Sequence, residues 1–126
     1  MQLNLERPDY AFALRGADGG HALVNDRVLR SSFVIAPDRL VEDWPVFDAR
    51  TMEASHLDAL LALQPELVLL GTGATQVFPA PAVLAACLTR HLGIEVMSND
   101  AAARTYSVLA AEGRRVVAGF VFPKRP

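Results

Sequence analysis

LVLLGTGATQVF, residues 67–78, is an apolar run that breaks into two glycines one residue apart. Unbroken apolarity over 67–70 is what a strand covered on both faces requires, because neither side of its pleat meets water. A helical pattern precedes it. In ASHLDALLALQP, Ser55 is a suitable N-cap, Asp58 favours the first turn, Leu57, Leu60, Leu61 and Ala62 form an apolar stripe, and Pro65 stops the helix. After the glycines, APAVLAACLTRHLG reads as a second helix, with Leu84, Cys87, Leu88, His91 and Leu92 at helical spacing and Gly93 as its C′ residue. IEVM, 94–97, is a second strand. SNDAAARTYSVLAAEG is a third helix, capped at Ser98 or Asn99 and closed by Gly113, and RRVVAGFVF carries a last strand over 116–122. Strands alternating with helices at this spacing predict a parallel sheet with right-handed crossovers, so 67–70, 94–97 and 116–122 should run the same way.

Upstream the period shortens. YAFALRGADGGHALVNDRVLRSSFVIAP holds three candidate strands, 10–14, 21–24 and 28–36, punctuated by GADGG and ND. Gly19 and Gly20 are expected to supply the positive-φ positions of a tight hairpin, and Pro37 ends the last run. PDRLVEDWPVFDAR is irregular and is expected to hold one more short strand around Val46. The expected fold is α/β. It is a three-layer single domain over 1–126 with a mixed sheet: an N-terminal antiparallel β meander in the β-rich part, 1–50, and a parallel βαβαβ part in 51–126.

The composition narrows the function classes. With 126 residues, 52% of them hydrophobic and 21% charged, the chain has the make-up of one globular domain, not of a disordered one. Twelve basic and fourteen acidic side chains leave a formal charge of −2, without the electrostatic footprint of a nucleic-acid binder. Arg104, Arg114, Arg115, Lys124 and Arg125 gather late and read as a solvated face. A single cysteine, Cys87, cannot form an internal disulfide, which points to a reducing compartment. No apolar run approaches the ~20 residues that span a bilayer, and the start MQLNLERPDYAF lacks the pattern of a secretory leader. The expected location is cytoplasmic.

Loops at the carboxyl ends of parallel strands share one edge of the sheet, and the helices that follow point their positive N-termini toward it. GTGATQ and SND should therefore meet at a crevice suited to an anion or a small polar ligand. Its candidate ligand-binding residues are Gly71, Thr72, Gly73, Thr75, Gln76, Asn99, Arg104 and Tyr106. The glycines permit close backbone approach, and Thr72, Thr75 and Gln76 offer neutral hydrogen bonds. Arg104 sits one turn into the third helix, within reach of the loop, and Tyr106 brings a ring and a hydroxyl. The loop fits neither common phosphate pattern: Gln76 stands where a dinucleotide fingerprint has its third glycine, and no lysine lies between Arg50 and Arg90. A turn that merely needs two glycines is the plainer account. His21, His56 and His91 are isolated from one another and from any metal-ligand spacing, Cys87 reads as a buried small apolar residue, and no nucleophile elbow is present. No catalytic residue, metal or cofactor is indicated, and the balance leans against an enzyme.

PELVLLGTGATQVFP, followed by GIEVMSNDAAARTYSVLAAEGRRVVAG, resembles a widespread domain family of unknown function. Its eukaryotic members include the mitochondrial complex I assembly factor three and an adipogenesis-associated cytosolic protein. The matching positions are Gly71, Thr72, Gly73, Gln76, Met97, Ala103, Arg104, Tyr106, Glu112, Gly113 and Arg114. Ser107 replaces the family's usual asparagine, and Asn99–Asp100 replaces a threonine-containing turn. The resemblance implies a three-layer domain. It also implies a non-catalytic interaction or assembly module whose partners are proteins of a respiratory or other membrane complex. The alternative is a small-molecule or anion binder, or an enzyme, using the GTG crevice. Nucleic acid and a membrane span are not expected, and a homo-oligomer is left open.

Overall fold

The computed structural model describes residues 11–124. Its elements are β1 (Leu14–Ala17), β2 (Ala22–Val24), β3 (Arg27–Leu29), β4 (Phe33–Ala36), β5 (Arg39–Val41), α1 (Asp58–Leu61), β6 (Leu67–Gly71), α2 (Pro81–Leu88), β7 (Gly93–Met97), α3 (Asn99–Ala111) and β8 (Val116–Phe120). Strands β1–β3 form an antiparallel sheet, and the other five form a mixed sheet in the order β5-β4-β8-β6-β7. As the alternation of strands and helices requires, β6 lies parallel to both β7 and β8. β4 joins β8 antiparallel, and β5 extends that edge.

Period-2 alternation sorts the five-stranded sheet into two apolar faces. Leu69, Val116, Ala118 and Phe120 face α3 and the small sheet, where Tyr106, Phe33 and Phe122 complete one core. Val68, Leu70, Val117 and Val121 face the other way, into a second core with Trp44, Leu57, Leu60, Val83 and Cys87. The result is the three-layer α/β arrangement expected from the sequence. All five residues of β8 are buried, as a central strand with both faces covered must be.

The N-terminal half departs from its expected boundaries. The run 28–36 is two strands in two sheets, separated at Arg30, Ser31 and Ser32. Ser32, 1% exposed, replaces ladder bonds with its hydroxyl: Oγ donates to the Val46 carbonyl and accepts the Phe122 N–H at 2.8 Å. That side chain lets the backbone leave one sheet and enter the other without stranding polar groups. The strand expected at Val46 is instead β5, at Arg39–Val41, while Val46 is buried in irregular chain. Tyr10 lies outside the described residues, and β1 starts at Leu14. Neither Gly19 nor Gly20 has a positive φ; Asp18 makes the turn instead, its carboxylate accepting the N–H groups of Gly20 (2.8 Å) and His21 (2.9 Å).

Helix ends follow the same logic. The chain enters α1 through a 3₁₀ turn, 54–57, capped by Glu53 and His56 and not by Ser55. Ser98 caps α3, accepting the Ala101 N–H. Gly113, at φ 81°, closes that helix with two reversed hydrogen bonds, Gly113 N–H to Ala110 and Arg114 N–H to Leu109. At α2 the left-handed residue is His91, at φ 58°, and Gly93 already belongs to β7. Leu88, expected inside, is 59% exposed, while Val83 and Cys87 are the buried pair of α2.

Trp44 lies against β8. It is 3% exposed, its Nε1 donates to the His56 carbonyl at 3.0 Å, and a Cβ at Gly119 would stand 2.8 Å from its six-membered ring. Because the ring is anchored, Gly119→Ala should destabilise the fold by about 1–3 kcal/mol through overpacking. The check is the urea unfolding midpoint, expected to fall without a change in slope.

Candidate functional site

The two connections expected to share a rim do so. The loop after β6 and the start of α3 are joined by Thr72 N–H to the Met97 carbonyl (3.0 Å) and by Asn99 N–H to the Gly73 carbonyl (2.8 Å). Gly73 needs its glycine, since its φ is 112°. Gly71 needs its own for another reason: a Cβ there would overlap Asn99 Oδ1 and press on the Phe120 ring. Thr72, 8% exposed, organises the loop by donating from Oγ1 to the Thr75 carbonyl (2.7 Å) and accepting the Val77 N–H (2.9 Å). The Gln76 amide donates to the Val96 carbonyl at 2.8 Å. Gly71, Thr72, Gly73, Thr75, Gln76 and Asn99 are thus brought together.

Arg104 and Tyr106 are carried elsewhere. Tyr106 is fully buried in the core between α3 and the sheet. Arg104 lies on the outer face of α3, with its guanidinium 3.3 Å from the Asp100 carboxylate and its side chain 72% exposed. Two residues apart on a helix, the two side chains point about 200° away from each other, so one facing the core sends the other outward.

The rim also holds residues that sequence reasoning assigned only to a turn. The tip of the β1–β2 hairpin reaches across the ends of the parallel strands. The Asn99 amide nitrogen donates to the carbonyls of Asp18 (2.9 Å) and Val121 (3.1 Å), and Asn99 is wholly buried. Gly19 packs so closely on the GTG loop that a Cβ would stand 2.7 Å from the Ala74 methyl. The two free N–H groups of α3 named above, those of Asn99 and Ala101, are taken by the Gly73 carbonyl and the Ser98 hydroxyl. The dipeptide Asp18–Gly19 was the available signal, but pairing with residues some eighty positions away leaves no local trace.

Charges around this framework are mostly paired at the surface. Asp18 titrates below the ordinary carboxylate value of 3.8, held there by the Gly20 and His21 N–H groups and by the nearby His21 ring. Arg114 and Arg115, part of the late basic cluster, stand 3.7 Å from Glu66 and 3.0 Å from Asp38 respectively. Burial pushes the Cys87 thiol up, which suits a packing role and not a nucleophile. Among the described residues no group of three or more metal-ligating side chains forms, and no helix is long and apolar enough to cross a membrane.

A small meander seated over the strand ends of a mixed sheet, with helices on both faces, defines a three-layer α/β domain of the Mth938-like kind. The chain belongs to the family described as proteins of unknown function DUF498/DUF598, whose model matches residues 14–121. It is similar to a Xanthomonas campestris protein solved by NMR, with 57% identity, TM-score 0.81, and 96% of this chain and 92% of that one covered. A Bordetella parapertussis crystal structure is 35% identical at TM-score 0.82, covering 93% of this chain and all of that one. A 13 kDa major membrane protein of Francisella tularensis subsp. holarctica is 35% identical over 69 residues, 55% of this chain. The chain spans only 56% of that curated relative's length.

The packed rim makes a paired prediction. Gly19→Val should displace the hairpin tip from Ala74 and cost about 1–3 kcal/mol of stability. Gly20→Ala, whose nearest neighbour would be 3.8 Å away, should change stability by less than about 0.5 kcal/mol. Denaturant unfolding of the two variants side by side checks both.

Proposed function

We propose that this chain is a non-catalytic protein-interaction module of the assembly-factor type, acting from the cytoplasm on a membrane complex such as respiratory complex I. One observation carries the reading. The chain's own hairpin tip packs on the rim where this class of fold offers a ligand crevice, while large apolar side chains stand outside: Phe78, Leu88 and Val108 are 63%, 59% and 58% exposed. Apolar surface left in water is the usual raw material of a protein interface. Phe78 stands in the loop after β6, Leu88 at the end of α2 and Val108 on α3, so each offers a partner a separate apolar contact. The name of the Francisella relative, a major membrane protein, supports work at a membrane. The resemblance to the complex I assembly factor supports the choice of complex.

Gentle detergent extraction of the native host and co-purification on the tagged chain test the proposal. The expected result is recovery of subunits of one membrane complex in constant ratio. Recovery of none, with the tagged chain folded, contradicts it. Phe78→Asp, Leu88→Asp and Val108→Asp alter exposed positions and should leave stability within about 0.5 kcal/mol. At least one of them should lower recovery by about tenfold, as loss of an interface anchor does.

A further inference from the structure

β7 ends the five-stranded sheet. The Met97 carbonyl accepts from Thr72, so the main chain of Met97 faces β6. By ladder alternation Gly93 and Glu95 face it too, and Ile94 and Val96 aim their N–H and C=O groups outward. One of those four groups is occupied, the Val96 carbonyl, by the Gln76 amide. The opposite edge is blunted: β5 has three residues and opens on Arg39. β7 has five residues and one charge, Glu95, which is exposed and makes no ion pair among the described residues.

The ground beside this edge is mixed, with apolar side chains beside the Arg104–Asp100 pair. Ile94 and Val96 turn toward the core under α2, so Gly93, Glu95 and Met97 lie on the α3 side. Thr105 Oγ1 stands 3.5 Å from Met97 Sδ, placing that flank of α3 next to β7. An open groove of about 340 Å³ runs along the helix there, lined by Ala101, Arg104, Thr105, Val108 and Leu109. Gly93 contributes no side chain to cover it.

We infer that the free edge of β7 and the adjoining flank of α3 dock an extended peptide segment carrying a basic side chain, added as a sixth strand. This rests on the interaction-module reading and names its surface and the chemistry of its partner. Main-chain groups of the incoming strand meet the N–H and C=O of Ile94 and the N–H of Val96, the Val96 carbonyl staying with Gln76. Every second side chain falls on the α3 side, where the one opposite Glu95 is Lys or Arg and the next is apolar and enters the groove. A second copy of this chain fits less well, because antiparallel pairing centred on Glu95 sets two carboxylates face to face.

The probe is a short synthetic peptide in which Thr alternates with Val and Lys. At saturation it should slow exchange of the Ile94 and Val96 amides by about tenfold or more and leave the amides of Arg39–Val41 unchanged. Glu95→Lys should weaken it about tenfold and favour the same peptide with Glu in place of Lys. N-methylation of its edge-facing amides should abolish binding, as should Ile94→Pro, which removes an outward N–H and no bond to β6. If Ile94→Pro does not fold, Glu95→Lys and the N-methylated peptide decide. Unprotected Ile94 and Val96 amides, indifference to Glu95→Lys, undiminished binding of the N-methylated peptide, or self-association through β7 without peptide each overturn the inference. A membrane-complex subunit that co-purifies equally with wild type and Glu95→Lys refutes this edge and leaves the assembly reading standing. Peptide uptake without any such subunit does the reverse.

Discussion

One buried amide ties the layers together. Asn99 opens α3, has no exposed surface, and donates both of its amide hydrogens: one to the tip of the small sheet at Asp18, the other to the chain just past β8 at Val121. Its backbone N–H holds the Gly73 carbonyl, and its oxygen backs onto Gly71, which has no Cβ to obstruct it. A buried carbonyl without a donor costs on the order of 1–3 kcal/mol, so Asp18 and Val121 both depend on this side chain. The double glycine follows from the same arrangement. Gly71 makes room for the amide, and Gly73 takes the left-handed turn that brings its carbonyl to it.

That constraint explains why the small sheet reaches the rim. In an open α/β sheet the strand ends and helix N-termini leave a crevice for a ligand. Here the β1–β2 hairpin lies across them, with Gly19 seated on Ala74 and Asp18 holding its own turn through two backbone N–H groups. Exposed apolar side chains stand on the helices, Val108 on α3 and Leu88 on α2, and β7 ends the large sheet.

The C-terminal half was legible in the sequence because its signals are local. The apolar run of β6, the Ser98 cap and the Gly113 stop each report on a few neighbouring residues, and parallel order follows from the alternation. The N-terminal half was less so, because its boundaries are set by distant partners. Ser32 ends a strand through Val46 and Phe122, and Glu53 displaced Ser55 as the cap by pairing with His56. At the candidate site the convergence of 71–76 with Asn99 was readable from topology. The directions of Arg104 and Tyr106 depend on helical phase against a core, and the arrival of Asp18 depends on tertiary closure. Neither has a signature in residue spacing.

The most direct test of this account is Asn99→Ala, followed by denaturant unfolding and by amide exchange at Gly20 and His21. The account predicts a loss of about 1–3 kcal/mol. It also predicts faster exchange at both hairpin amides, while the β6–β7 ladder keeps its protection. Unchanged stability with an equally protected hairpin tip would contradict it, because the tip would then be held on the rim by something other than that amide.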